Sequence, residues 1–309
     1  MSTARSTARE PETPKPRTEA GRTGHIAWTR RGGRPEILFL HGFSDSGACW
    51  DPVVSALRPG WGVLATDARG HGESGLPEEP FGHTAHARDA AAVLDDQPGL
   101  DPDGVLVVGH SMGAVTAAAL AGLRPDLVRA VVLEDPPPGE RESTPGPGPA
   151  ASPDTAPAAP SATPPAAPSA TPRPGPPRQL PDWLRAVRAL DPAARIARGR
   201  ADNPEWSEEE LVPWARSKEQ FDVGVFERPS EPFVPLRELL AKVTCPVLLI
   251  HGDVDRGSLL PPAIAAACAM AAGGDVEVAR IDGAGHSVRR DRPGPYVAAL
   301  EDFLRRHRG

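Results

Sequence analysis

The ten residues Val105–Ala114, VLVVGHSMGA, constrain this chain more than any other stretch. Val105–Val108 is a β-branched and aliphatic run of the length of one buried parallel strand. It leads into Gly109-His110-Ser111-Met112-Gly113, a G-x-S-x-G pattern, and then into an Ala-rich run of helical character. A serine on so sharp a strand-to-helix turn exposes its hydroxyl, and the two glycines leave room for the backbone to close around it. Free N–H groups at the start of the following helix suit an oxyanion. A glycine-rich turn without chemistry would also fit the spacing, but a strand before and a helix after are the context that a nucleophilic serine requires.

Composition removes several alternatives. With 309 residues the chain can hold one large α/β domain plus an insertion. A net charge of −7 offers no footing for nucleic acid or an anionic membrane surface. Cys49, Cys245 and Cys268 are odd in number and far apart, which argues against a disulfide framework or a metal site and for a reducing compartment. Residues 1–22 contain no apolar signal-like core, and the longest mainly apolar run, Met112–Leu123, falls short of the ~20 residues of a spanning helix. The expectation is a soluble, cytoplasmic protein that acts on a small molecule without metal or cofactor.

Along the chain, strand-like and helix-like segments alternate, which implies a doubly wound, mainly parallel sheet. Residues 1–22 are polar and proline-punctuated and read as a disordered arm. Residues 23–135 and 236–309 read as the α/β core, with Gly24–Arg30 as an edge strand. Residues 136–180 are a low-complexity Pro/Ala insertion in which AAPSATP occurs twice. Residues 181–235 read as a helical cap: one amphipathic helix over Leu180–Arg198, then a second over Ser207–Gln220, capped by Ser207 with Glu210 three residues on. Trp183, Trp214 and Phe221 in this segment are candidates to line an apolar acyl pocket.

A serine hydroxyl needs a base, and the base needs an orienting carboxylate. His286 sits on the Gly-flanked loop Asp282–Ser287 after the last strand, where the carboxyl ends of parallel strands gather. Asp255 follows the strand Pro246–His251, Asp135 follows Val128–Glu134, and Asp253 is placed to brace a turn. The His41-Gly42-Phe43 turn after Glu36–His41 lets main chain approach a substrate, so Phe43 and Met112 are candidates for the two oxyanion N–H donors. The loop Asp67–Ser74 reads as scaffolding for that turn.

Together HGF at 41–43, DARGHGES at 67–74, GHSMGA at 109–114, HGDVD at 251–255 and GAGHS at 283–287 resemble the α/β-hydrolase superfamily. The resemblance implies an α/β-hydrolase fold with an inserted helical cap, Ser111 as nucleophile, His286 as base, and an oxyanion hole at Phe43 and Met112. Most members take the acid after the seventh strand, which implies Asp255; a minority take it after the sixth, which implies Asp135. The reaction expected is hydrolysis of a small carboxylic ester through an acyl-enzyme. The alternatives are carbon–carbon cleavage of a diketone-type metabolite and a low-turnover ligand receptor on the same fold.

Overall fold

The computed structural model describes residues 18–139 and 179–309; the arm before Thr18 and the Pro/Ala tract from 140 to 178 lie outside the described residues. The strands are β1 (Thr18–Thr23), β2 (Ile26–Arg31), β3 (Ile37–Leu40), β4 (Val63–Thr66), β5 (Val105–His110), β6 (Val128–Glu134), β7 (Val247–His251) and β8 (Val276–Arg280). They form one sheet in the order β1-β2-β4-β3-β5-β6-β7-β8. Strands β3 to β8 run parallel, while β1 and β2 join antiparallel. The helices are α1 (Asp51–Ala56), α2 (His83–Asp95), α3 (Met112–Leu123), α4 (Asp182–Arg188), α5 (Pro192–Asp202), α6 (Glu208–Gln220), α7 (Leu236–Leu240), α8 (Pro262–Ala271), α9 (Val288–Asp291) and α10 (Pro293–Arg306).

The central strands are apolar throughout because both of their faces are covered. Alternate residues feed two cores. Leu38, Leu40, Val105 and Val107 pack with α2, α3, α7 and α8, whereas Ile37, Phe39, Leu106 and Val108 pack with α1 and α10. Full burial of a side chain such as Phe39 is worth roughly 1.5–3 kcal/mol, and the helices on either face supply that cover.

Three local expectations change. Part of the expected disordered arm is strand: Thr18–Thr23 pairs with β2, and the indole of Trp28 lies so close over Gly21 that a Cβ there would sit 2.4 Å from it. In consequence β2 is an inner strand, and β1 is the edge. The helix read over Leu180–Arg198 is two helices. Pro192 disfavours helical backbone at Asp191, whose carboxylate instead caps the second helix by accepting from the Ala194 N–H at 2.9 Å. Ser207 stands at the N-cap of α6 without a side-chain capping bond, and Glu210 is turned inward to Arg290.

Candidate active site

The turns at the carboxyl ends of β3, β5, β6 and β8 carry the residues singled out in the sequence. Ser111 joins β5 to α3 with φ 52°, a left-handed conformation costly for a residue with a Cβ. The flanking glycines make it feasible. A Cβ at Gly109 would lie 2.2 Å from the Gly113 carbonyl oxygen, and one at Gly113 would lie 2.1 Å from that of Leu40. Two further non-glycine residues have positive φ, Ser44 at 62° and Asp135 at 41°, so all three such residues among those described stand in these turns.

His286 Nδ1 donates to Asp135 Oδ2 at 2.6 Å. Asp135 is fully buried and is also held by the Ser258 hydroxyl, at 2.5 Å to Oδ1, and by the Leu259 N–H, at 2.8 Å to Oδ2. Its backbone N–H donates to the Ile250 carbonyl at 2.8 Å, which pins the end of β6 against β7. Asp255, the acid expected from the position after the seventh strand, is exposed on the 3-10 turn Val254–Arg256, and it is not the partner of His286. The segment just beyond that turn serves Asp135 instead, through Ser258 and Leu259. Asp253 braces the histidine loop, accepting from the Gly283 N–H at 2.7 Å and pairing with Arg280.

His110 donates from Nε2 to the His286 carbonyl at 3.0 Å, fixing the loop from beneath. Burial and the nearby Arg289 guanidinium push His110 well below the usual histidine range, so it is neutral. The N–H groups of Phe43 and Met112 donate to no carbonyl among the described loops. The Asp67–Ser74 loop supports the Phe43 turn. Asp67 accepts from Gly47 at 2.7 Å and Glu73 at 2.8 Å, the Ala68 N–H donates to His41 Nε2 at 2.9 Å, and the His71 ring packs edge-on against Phe43.

Beside Ser111 opens a cavity of about 440 Å³. Phe43, Phe81, Met112, Val115, Phe226 and Phe233 form its apolar walls. No Lys or Arg lines it among the described residues; the acidic member is Glu231, whose carboxylate accepts from the Thr84 and Ala85 N–H groups at the start of α2. The aromatic residues expected to line an acyl pocket do not line this one. Trp183 is half exposed, Trp214 is buried with Val187 and Ala215, and Phe221 is buried behind Phe43, with ring centroids 5.0 Å apart.

Beneath the site lies a group that sequence reasoning missed. Asp45, Glu134 and Glu210 are buried with Lys218, Arg289 and Arg290. Asp45 binds Lys218 at 2.8 Å, Arg290 at 3.0 Å and Arg289 at 3.3 Å; Glu134 binds Arg289, and Glu210 binds Arg290, both at 3.1 Å. Burial pushes the Asp45 carboxyl up, but Arg290, Lys218 and Arg289 outweigh it and hold it well below the usual range. The only signals in the sequence are the Arg289-Arg290 pair close behind His286 and an isolated lysine in α6, and by residue type neither differs from a solvated charge.

The model of the alpha/beta hydrolase family matches residues 37–300. Over 127 residues the chain is 38% identical to an esterase of Mycobacterium tuberculosis, a match covering 40% of this chain and 41% of that protein. Over 105 residues it is 35% identical to the 2-(acetamidomethylene)succinate hydrolase of Mesorhizobium japonicum, covering 34% and 37%. The chain thus spans about two fifths of the length of the curated relatives it matches. The crystal structure of the Mycobacterium esterase superposes with TM-score 0.67 at 22% identity, over 95% of this chain and 92% of that one. A crystal structure of E-2-(acetamidomethylene)succinate hydrolase gives 0.63 at 22%, over 94% and 99%. No helix among the described residues is long and apolar enough to cross a membrane.

Proposed function

The chain belongs to the alpha/beta hydrolase family, and from that premise we propose that it hydrolyses a carboxylic ester of an uncharged acid through Ser111, His286 and Asp135. The observation that carries the reading is the 2.6 Å bond from His286 Nδ1 to the buried Asp135 carboxylate. It fixes the proton on Nδ1 and leaves Nε2 as the acceptor for the Ser111 hydroxyl proton. The serine oxygen then attacks the ester carbonyl, and the Phe43 and Met112 N–H groups receive the oxyanion, each worth about 3–4 kcal/mol in the transition state. His286 returns its proton to the departing alcohol. It next draws a proton from water, which attacks the acyl carbon and frees Ser111.

The acyl group is read from the cavity. Its walls are mainly apolar, with His83, His86, Gln179 and Glu231 as the polar lining besides Ser111, and the helix N-terminus that would favour a substrate carboxylate is already occupied by Glu231. One relative is named for a succinate derivative; Glu231 argues against that substrate type here.

The test is steady-state hydrolysis of p-nitrophenyl butyrate and of p-nitrophenyl monosuccinate by the full chain and by Ser111→Ala. Turnover of the butyrate should fall by roughly 10⁶-fold in the variant, and the monosuccinate should be the poorer substrate of the native protein. Absence of native turnover, together with failure of a fluorophosphonate to label Ser111, would sink the reading.

A further inference from the structure

We propose that Lys218, contributed by α6 from the helical segment between β6 and β7, is a positioning residue that holds the turn presenting the Phe43 N–H. This rests on the reading of Phe43 as an oxyanion donor. The Lys218 ammonium is buried and has three hydrogen-bond partners: the Ser44 carbonyl at 2.9 Å, Asp45 Oδ1 at 2.8 Å and Ser217 Oγ at 3.3 Å. Three acceptors match its three N–H bonds. Two of the three lie in the turn closed by the Asp45 N–H donating to the Gly42 carbonyl at 3.1 Å, and Phe43 stands inside that turn.

The turn needs such a hold. Ser44 has φ 62°, a left-handed conformation that is unfavourable for a residue with a Cβ and persists only where the surroundings over-determine it. Lys218 fastens the carbonyl of Ser44 itself, and Arg289 and Arg290 fasten the far side of the Asp45 carboxylate. An ammonium is strongly hydrated, and a well-packed apolar side chain in its place is often no worse for stability. What an apolar residue cannot do is bind the Ser44 carbonyl. With the lysine removed, the Ser44–Asp45 peptide loses its anchor, the turn that it closes with Gly42 loosens, and the Phe43 N–H within that turn shifts from the oxyanion, while the cavity that receives the acyl chain is untouched.

The experiment compares Lys218→Met, Lys218→Gln and Glu210→Gln with the native full chain on p-nitrophenyl butyrate. Glu210 is another buried residue of α6 tied to the core, through Arg290, and its carboxylate is not bonded to the turn. Lys218→Met should lower kcat about 10- to 100-fold, the scale set by small misplacements of catalytic groups, with little change in KM. Inhibition by an alkylboronic acid, which forms a tetrahedral adduct, should weaken in parallel with kcat. Lys218→Gln, which keeps a donor for the Ser44 carbonyl, should fall between the two, and it serves if the methionine variant does not fold. Glu210→Gln should lower Tm while leaving kcat nearly unchanged. An unchanged kcat in the lysine variants overturns the assignment, as does an equal loss in Glu210→Gln, because Lys218 is then only structural. Native protein that neither turns over nor is labelled at Ser111 overturns the ester-hydrolase reading and this assignment with it.

Discussion

Ser111 has charge below it and apolar surface beside it. Underneath, Asp45, Glu134 and Glu210 are buried against Lys218, Arg289 and Arg290. Beside it, the apolar part of the cavity wall is Phe43, Phe81, Phe226 and Phe233 with Met112 and Val115, and Glu231, in the same lining as His83 and His86, has its charge already spent on α2. The buried charges fix directions: the Asp45 oxygens are bonded by Lys218, Arg289 and Arg290, and Glu134 accepts from the Arg289 N–H and guanidinium, which holds the turns that carry Phe43 and His286. The apolar wall fixes only volume. Reaction geometry should therefore be sensitive to the single atoms that bond the Phe43 turn directly, such as the Lys218 ammonium, whereas the cavity should tolerate changes of shape and answer with altered substrate preference.

The sharpest test of that contrast is the acid. Asp135→Asn should lower kcat by roughly 10⁴-fold, because an amide cannot hold the imidazole in the right tautomer. Asp255→Asn, on the exposed turn, should leave the esterase rate close to native. Steady-state kinetics of the two variants decide it, and a reversed order would return the acid to the position after the seventh strand.

Next in size is the removal of one buried charge. Arg289 is fully buried, bonds Glu134 through both its backbone N–H and its guanidinium, and lies 4.4 Å above the Trp50 ring. Arg289→Met leaves Glu134 and Asp45 with less compensation and should cost about 3–5 kcal/mol in chemical denaturation. Phe233→Ala on the apolar side, at a residue already 46% exposed, should cost far less. Similar losses at the two positions would abolish the distinction between floor and wall.

The same contrast separates what was legible in the sequence from what was not. The serine turn and the His41–Phe43 turn were readable because their chemistry is local: apolar strand, glycine where a Cβ would strike backbone, helix start. The mainly parallel, doubly wound sheet followed from alternation of strands and helices, but not its edge, where β1 covers β2. The choice between Asp135 and Asp255 was not local. Both follow a strand, and it is the tertiary placement of His286, Ser258 and Leu259 around Asp135 that distinguishes them. The buried ions were invisible for the same reason. Asp45 and Arg290 are 245 positions apart, and a lysine within α6 looks like any solvated lysine until its partners are in place. Trp183 and Trp214 were placed in the pocket by type alone, and helix phase put them elsewhere.

The smallest effect is one of pH, and it reaches both regions. His110 lies in the floor, and burial, then Arg289 and His286, hold it well below the usual histidine range. His71 stands behind the wall, packed against Phe43 and Phe221; burial, then His41, does the same to it. In the unfolded chain each takes up a proton as pH falls through about 6.5, but in the folded protein each stays neutral until much lower pH. The unfolded state therefore binds more protons throughout that interval, and stability falls as pH falls. The expected result is a Tm that declines steadily between pH 7 and pH 5, above the range where Asp45, held low by its three cations, begins to titrate. His71→Gln should flatten part of that slope without altering the Ser111 turn. A Tm independent of pH across this window would mean that both histidines accept protons in place, and that neither the floor nor the wall excludes water as the burial of these rings implies.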